Sequence, residues 1–307
     1  MYSASIAHRS HGPPPRRRMW TIVRRGALLC VAVATACLAT SPAHADLSIT
    51  DGAASFFWDT DNAGGAATAD FVESFGGNDM QYAENWYLRY NGTTYSLSGA
   101  TTQVGSGNAA SVTFSGIASV PLQFEGFDVT ISYQIADTGS QSHMHTSATV
   151  TNLSGTAQNV SLINYFDYDV PTIDDAGNNS AISTLNGDGV SIRIFNPGKG
   201  QIVRTGNGAS HFQVANYAGL VNGIENGTIT SLNDSTANFI SGDFTGAIQW
   251  DVSVAGSGSS TVTGTVLGTT AFVPEPSMVS ALAIMTVGLG VVGLRRRKRA
   301  KAQVESE

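Results

Sequence analysis

The sequence predicts an all-β exported domain, an antiparallel β-sandwich of about a dozen or more strands, with an N-terminal signal peptide and one C-terminal transmembrane helix. Apolar and polar residues alternate along many short runs, which is typical of half-buried strands. Clusters of Gly, Asn, Asp and Ser separate these runs and favour turns. Between residues 46 and 272 no segment combines a helical apolar stripe with helix caps.

The first element is a secretory signal over residues 1–45. A basic stretch, Arg16 to Arg25, precedes an apolar run from Gly26 to Leu38, and Ala43-His44-Ala45 follows as a small-x-small cleavage site. The apolar run is shorter than the roughly 20 residues that a membrane-spanning helix needs. We therefore predict cleavage after this site. Met19 is an alternative start, because the residues before it add nothing that an export signal requires.

The second element, residues 46–272, is predicted to be one strongly acidic domain. It contains 20 Asp and Glu residues and four Arg and Lys residues, a net charge of −16, whereas the whole chain has −7. Such a field disfavours nucleic acid and anionic membrane surfaces as partners, and it suits neutral sugars or cations. Both cysteines, Cys30 and Cys37, lie in the signal, so the domain has no disulfide or cysteine nucleophile.

Strands within this domain follow from the alternation. The clearest run is Phe127 to Ile135, and similar runs lie at residues 190–194 and 248–254. Residues 137–150 and 159–169 are predicted to be neighbouring strands with a turn at 152–155. Two successive sandwiches divided near residues 175–180 are the alternative to one domain. Residues 256–270 form either a final strand or a flexible stalk.

Three carboxylates near the start of the domain have the spacing of a calcium loop. Asp59 and Asp61 occupy positions 1 and 3, Gly64 occupies position 6, and Asp70 occupies position 12. Hard cations prefer such clustered oxygen ligands. Position 5 is Ala63 and no flanking helices are predicted, so an ordinary Asp/Asn/Gly loop is the alternative.

Aromatic residues near Trp58, Trp86 and Tyr87 are candidates for sugar contact. Flat aromatic faces stack on sugar rings, and neighbouring Asp or Asn side chains bond to hydroxyls. The alternative places these rings, together with Tyr90 and Tyr95, in the sandwich core.

His143 and His145 are predicted to lie on one face of a strand, because a single residue separates them. Zinc or copper would need a third ligand from elsewhere, and His211 is the remaining histidine of the domain. We expect no metal site from this pair alone.

A second acidic stretch places Asp167 and Asp169 on one strand face, and Asp174 and Asp175 follow after Pro171. Paired carboxylates can act as acid and base on a glycosidic bond or bind a cation. The stretch from Asn164 to Val170 resembles a strand of the large β-sandwiches in galactose-mutarotase-like proteins, although no matching catalytic pattern surrounds it. A strand end that leads into an acidic loop is the alternative.

The last element is a membrane helix over Ser277 to Leu294. Its eighteen residues carry no charge, and a helix of this length spans about 27 Å, close to the hydrocarbon thickness of a bilayer. Five basic residues follow it and should stay cytoplasmic by the positive-inside rule. They are Arg295, Arg296, Arg297, Lys298 and Arg299, within a tail of residues 295–301.

Immediately before this helix stands Pro274-Glu275-Pro276. The box, the helix and the basic tail together, residues 273–301, resemble the PEP-CTERM sorting domain. The resemblance implies that these three residues are recognised by an exosortase in the inner membrane, which cleaves near them and releases or re-attaches the exported protein. Two prolines that flank one residue also hold the segment extended and non-helical.

The sequence thus favours an exported, exosortase-sorted cell-surface or matrix protein without catalytic activity and with exopolysaccharide as a potential partner. No cofactor is implied, although calcium fits the loop at Asp59. Two alternatives stay open. One is a carbohydrate-active enzyme with a galactose-mutarotase-like sandwich that uses Asp167 and Asp169, and the other is a calcium-stabilised structural or adhesive protein.

Overall fold

The computed structural model describes residues 46–60, 69–72, 79–100, 102–121, 123–139, 141–170, 179–196, 199–216, 219–235, 239–242 and 244–269. These residues form 17 strands and one short helix. The elements are β1 (Leu47–Asp51), β2 (Ala54–Trp58), β3 (Ala69–Val72), β4 (Gln81–Tyr90), β5 (Thr93–Ser96), β6 (Thr102–Ser106), β7 (Ala109–Ile117), β8 (Phe127–Asp137), β9 (Ser142–Asn152), β10 (Gln158–Tyr168), β11 (Asn179–Asn186), β12 (Gly189–Asn196), β13 (Gly200–Asn207), β14 (His211–Asn216), α1 (Gly219–Glu225), β15 (Phe239–Gly242), β16 (Phe244–Val254) and β17 (Ser259–Thr269).

The strands form three antiparallel sheets. A nine-stranded sheet has the order β15-β11-β12-β13-β17-β9-β8-β7-β6, and a five-stranded sheet has the order β14-β16-β10-β4-β5. A small sheet of β1, β2 and β3 completes the fold. The prediction of an all-β antiparallel sandwich is therefore confirmed for the described residues.

The main core lies between the nine-stranded sheet and the other two sheets. Alternate residues of β8 from Phe127 to Ile135 are buried, and the side chains between them lie on the opposite, outer face. Phe56 of the small sheet contacts the ring of Tyr133 with centroids 4.6 Å apart, so this sheet covers the same inner face. Burial of these apolar surfaces is the main favourable contribution to folding.

Strand β10 is buried on both faces, which explains its long apolar sequence. Leu162 and Phe166 point into the main core, whereas Ile163 and Tyr165 contact a second cluster on the other side of the five-stranded sheet. That second cluster is covered by residues 219–235, which we call the cover segment and which include α1.

The helix α1 corrects the prediction that the domain contains none. Its seven residues, about two turns, are too few for a distinct amphipathic stripe in the sequence. Leu220, Val221 and Ile224 are buried against the five-stranded sheet, and Ile229 approaches so closely that a Cβ at Gly223 would lie 2.5 Å from its Cδ1. Tertiary packing, rather than helix propensity, therefore holds this short helix.

Three further predictions about connectivity can be compared with the strand pairing. Strands β9 and β10 are consecutive but lie in different sheets, so the prediction that they are neighbours is wrong. Strands from both sides of residues 175–180 occur in both main sheets, which speaks against two successive sandwiches. Residues 259–269 form the strand β17 between β9 and β13, rather than a stalk.

The predicted signal peptide at 1–45 and the predicted anchor at 273–301 lie outside the described residues. Within the described part of the chain, no helix has the length and apolar character needed to cross a membrane.

Candidate functional site

The outer face of the nine-stranded sheet carries a groove of about 640 Å³. It crosses strands β7, β8, β9 and β17, and Val104 of β6 and Asn207 of β13 lie at its two ends. Its floor is largely main chain, because the side chains of Tyr133 and Thr146 point into the core and Gly264 has none.

Two rows of side chains form the walls. Gln134, His145 and Thr265 are cross-strand neighbours and form one wall. The other wall consists of Ser111, Ser132, Ser147, Thr263 and Asn207. Residues of the two rows are two positions apart along each strand, so the rows are separated by roughly 7 Å.

The groove exists because its central side chains are small. Ser132 and Ser147 lie in the middle of one wall, whereas the longer side chains of Gln134 and His145 rise on the other and are exposed. Gly264 allows close strand approach, since a Cβ there would lie 2.4 Å from the main-chain oxygen of Thr205.

The lining mixes hydroxyl, amide and imidazole groups with the apolar side chains of Val104, Ala109 and Ala110, and it carries no carboxylate, lysine or arginine among the described residues. Hydrogen bonds fix two of the wall contacts. The hydroxyls of Thr205 and Thr265 lie 2.7 Å apart, and the Asn207 side-chain amide donates to Thr263 Oγ1 at 3.1 Å. The imidazole of His145 is the one ionisable side chain that the described outer face contributes to the groove.

The structure confirms that His143 and His145 share a strand face, with Met144 buried between them. His211 does not join them, because it lies on β14 in the other main sheet, where its Nδ1 is 2.9 Å from Asp234 Oδ2. Within the described ranges, no group of three or more histidine, cysteine or acidic residues is arranged to hold a metal ion.

The three aromatic candidates for sugar contact are core residues, which corrects that expectation. Trp58 and Trp86 are each 1% exposed and Tyr87 is fully buried. Trp86 stacks on Trp250 with centroids 5.9 Å apart, and Trp58 packs near Phe114. Rings without exposed faces cannot stack on a ligand in solvent.

The calcium loop is only partly described, because Asp61 lies outside the described residues. Asp59 follows β2, and Asp70 lies in β3 opposite Phe57. Asp70 also contributes, after burial, to raising the pKa of Asp79 to about 6. Calcium binding at this loop stays a prediction.

Asp167 and Asp169 are buried rather than open to solvent. Asp167 lies in β10, opposite Thr245 of β16 and Ala83 of β4, and is 2% exposed. Asp169 is 5% exposed, and its amide donates to the Met80 carbonyl. Asp167 belongs to the five-stranded sheet and Asp169 directly follows its strand β10, whereas the groove is on the nine-stranded sheet.

A buried polar network lies directly beneath the groove. Glu84 Oε1 accepts hydrogen bonds from the hydroxyl of Tyr133 at 2.6 Å and from the amide of Asn164 at 3.0 Å, and it lies 3.3 Å from Arg204 Nη2. Trp86 Nε1 also donates to it, at 3.1 Å. Because Tyr133 belongs to the floor row, this network holds the floor strand against the five-stranded sheet.

Burial and charge set the protonation states of this network. Burial, reinforced by the negative charge of Glu84, raises the pKa of Tyr133 well above its usual range, so the phenol stays protonated and donates. Burial alone would lower the pKa of Arg204, but Glu84, Tyr168 and Tyr133 together outweigh it and the pKa is raised. Arg204 therefore keeps its positive charge in the core.

A second cavity of about 560 Å³ lies on the outer face of the five-stranded sheet, beside the cover segment. Arg89 lines it and donates to the carbonyls of Ile229 and Thr230 and, at 3.1 Å, to Thr94 Oγ1. Asp251 lies in the same cavity and accepts from Ser161 at 2.6 Å. These charges are already engaged within the protein.

Sequence reasoning missed the groove walls apart from His145. Ser132 and Gln134 lie inside the run Phe127 to Ile135, where they read as the solvent face of a strand. The signal that could have found them is the repetition of Ser and Thr at every second position in several strands. Their convergence depends on the register between β8, β9 and β17, which the sequence does not reveal.

No protein-family model and no curated protein matches the chain. Several solved structures are similar to the chain. A galactose mutarotase-related enzyme from Lactobacillus acidophilus is 7% identical over 74% of this chain and 98% of its own, with a TM-score of 0.47. A galactose mutarotase-like protein from Lactobacillus casei is 10% identical over 73% of this chain and 100% of its own, with a TM-score of 0.48. Another from Clostridium acetobutylicum is 10% identical over 70% and 96%, with a TM-score of 0.40.

These similarities concern the fold. These solved structures are described as galactose mutarotase-related or galactose mutarotase-like, which is the alternative named from the sequence. The main expectation of a surface or matrix protein without catalytic activity is corrected in favour of that alternative, whereas sorting by an exosortase stays a prediction.

Proposed function

We propose that the chain is a carbohydrate-active β-sandwich that binds an uncharged saccharide in the groove of the nine-stranded sheet. One observation carries the proposal. A groove of about 640 Å³ crosses the sheet face and combines hydroxyl, amide and imidazole groups with small apolar side chains, without any carboxylate, lysine or arginine among the described residues.

The groove offers the hydrogen-bonding pattern that sugars require. Each sugar hydroxyl both donates and accepts, and so do the Ser and Thr hydroxyls and the Gln and Asn amides of the walls. Ser132, Ser147 and Thr263 lie on one side and Gln134 on the other, so a ring between the rows would have partners along both edges. The volume lies within the roughly 300–1,000 Å³ typical of small-molecule sites.

Electrostatics supports a neutral ligand. The domain around the groove has a net charge of −16, which repels anionic ligands. An organic cation would be expected to meet a carboxylate or an open aromatic face, and the described lining offers neither. A neutral sugar avoids both conflicts.

His145 is the residue that could take part in proton transfer. Its exposed imidazole lies between Gln134 and Thr265, within the groove. General acid–base catalysis on a sugar needs a titratable group beside the reacting oxygen, and histidine is the usual one near neutral pH. Asp167 is buried on the other main sheet and Asp169 is buried just after the same strand, so the proposal assigns them no contact with the ligand.

Titration of the purified protein with a panel of neutral mono- and disaccharides, followed by calorimetry, tests the proposal. We expect a member of the panel to bind. Ser147→Leu fills the groove and should weaken that binding by about tenfold or more, which is about 1.4 kcal/mol.

Thr149→Leu is the matched control. Thr149 lies two positions further along β9, on the same face and equally half-buried, but does not line the groove. Thr149→Leu should leave the affinity for the saccharide that binds unchanged. If no neutral saccharide binds, or if both variants bind like the original protein, the proposal fails.

A further inference from the structure

The outer face of the nine-stranded sheet continues beyond the groove as a regular array of hydroxyl side chains. The row next to the groove wall consists of Thr113, Thr130, Thr149 and Thr261, which are neighbours across β7, β8, β9 and β17. The row after it contains Asp128, Thr151 and Ser259. We call these two rows the hydroxyl array.

We propose that the hydroxyl array extends the saccharide groove, so that the ligand is a neutral polysaccharide chain rather than a single sugar. The inference rests on the saccharide groove proposed above. One sugar unit would lie in the groove between its walls, and the polysaccharide would pass over the small side chains of Ser132 and Ser147 and continue across the array, parallel to the strands.

The spacing of the array is regular in two directions. Neighbouring strands lie about 4.8 Å apart, and successive rows are two residues, roughly 7 Å, apart along each strand. From the groove wall at Ser147 to the row of Thr151 the array therefore extends about 14 Å. A periodic polymer can repeat one contact along such a surface, whereas a small ligand in the groove cannot reach it.

Hydrogen bonds within the rows hold the side chains in place. The hydroxyls of Thr113 and Thr130 are 2.9 Å apart, and those of Thr149 and Thr261 are 2.8 Å apart. Thr151 and Ser259 form a third pair at 2.9 Å. A hydroxyl can donate once and accept twice, so the pairs Thr149–Thr261 and Thr151–Ser259 keep capacity for a ligand. Fixed rotamers reduce the entropy lost on binding.

The composition of the array argues against a protein partner. Stable protein interfaces have apolar, aromatic-rich centres. The exposed large apolar side chains of the described residues include Val104 on the edge strand β6 and Ile182 and Leu185 on β11, but none is on β7, β8, β9 or β17. A second copy of the chain is also disfavoured, because two domains that each have a net charge of −16 repel one another.

The charge of the array argues against an anionic polymer. Asp128 is its one ionisable residue, and its Oδ1 already accepts the amide of Gly116 at 3.0 Å. The array contains no lysine or arginine. Nucleic acids and acidic glycans need cations for affinity, which leaves an uncharged polysaccharide as the occupant.

The test compares, by calorimetry, a disaccharide that binds in the groove with a long neutral polysaccharide of the same sugar. The original protein should bind the polysaccharide about tenfold more tightly per binding site, because additional contacts act in one molecule. Thr149→Val combined with Thr261→Val removes both hydroxyls of one pair and leaves no orphaned partner between them. This double variant should lose most of the gain while it keeps the disaccharide affinity and the urea unfolding midpoint.

The outcomes separate this inference from the proposed function. If the disaccharide binds but the polysaccharide binds no more tightly, the array has no such role and the groove proposal stands. If the gain is present but survives in the double variant, the inference is also overturned. Failure of every neutral saccharide to bind would remove both proposals.

Discussion

Glu84 and Arg204 join the two main sheets from within the core. They belong to β4 and β13, their side chains are at most 1% exposed, and they are 3.3 Å apart. Asn164 and Tyr133 complete the contacts of the Glu84 carboxylate. A buried ion pair of this kind adds little net stability compared with apolar residues, but a single partner left alone is costly.

Arg204→Met should therefore destabilise the protein strongly, by about 3–5 kcal/mol, because Glu84 is left buried without its cation. Adding Glu84→Gln to this variant should recover part of the loss, since the amide carries no charge. Urea unfolding of the two variants measures the difference. A double variant that is less stable than Arg204→Met alone would contradict this description of the pair.

Asp79 gives the protein a pH-dependent stability term. It lies just before β4, accepts the amides of Phe71 and Gln81, both at 3.2 Å, and has a pKa raised to about 6, first by burial and then by Asp70. A raised folded-state pKa contributes stability below the ordinary value of 3.8, and this contribution is lost as the pH rises through about 6.

Asp79→Asn removes this titration while the amide oxygen can still accept both main-chain bonds. The stability of the variant relative to the original protein should be more favourable at about pH 7 than at about pH 4. Urea unfolding at the two pH values measures it. The opposite ordering would show that the Asp79 carboxyl is stabilised in its ionised form.

At the scale of elements, two side chains of the five-stranded sheet hold the cover segment in place. Arg89 donates to the carbonyls of Ile229 and Thr230, and Gln249 Oε1 accepts the amide of Leu232 at 3.1 Å. Because α1 is short, these contacts and the buried cluster beneath it must hold it in place.

Arg89→Met should increase hydrogen exchange of the amides in residues 220–225 by about tenfold or more, because the carbonyls lose their donor and the segment opens more often. The strands of the nine-stranded sheet should exchange as before. Arg193→Met is the control, since Arg193 lies over the ring of Phe195 on β12, far in the fold from the cover segment. Equal effects of both variants would argue against a specific role of Arg89.

The strands were predictable where one face is buried, and the groove was not. The run Phe127 to Ile135 lies within β8, and residues 190–194 and 248–254 lie within β12 and β16, because alternation follows directly from one buried and one exposed face. Strand β4 is buried on both faces, so its rings at Trp86 and Tyr87 could not be assigned to core or surface from the pattern.

Sheet order depends on contacts that are distant in the sequence. β17 pairs with β9 across more than one hundred residues, as the contact of Thr149 with Thr261 shows. Without that pairing, His145 and Thr265 have no relation in the sequence, and neither do Ser147 and Thr263. The groove depends on the register between these strands. The sequence determines that register, but the register cannot be deduced from the pattern of a single sequence.

At the scale of the whole molecule, the structure describes the acidic sandwich but not the two terminal segments. The sorting residues Pro274, Glu275 and Pro276 and the basic tail lie outside the described residues, so recognition by an exosortase and location outside the cytosol stay predictions. The sandwich by itself carries the net charge of −16, which disfavours anionic ligands. Its two main sheets divide the roles, since one face carries the groove and the other lies under the cover segment.

Saccharide binding in the groove is tested most directly by a map of amide chemical shifts during titration with a neutral disaccharide that binds. We expect the largest chemical-shift changes on the walls of the groove, at Gln134, His145, Ser147 and Thr265. Changes centred on Arg89 and Asp251, in the cavity of the five-stranded sheet, would contradict it.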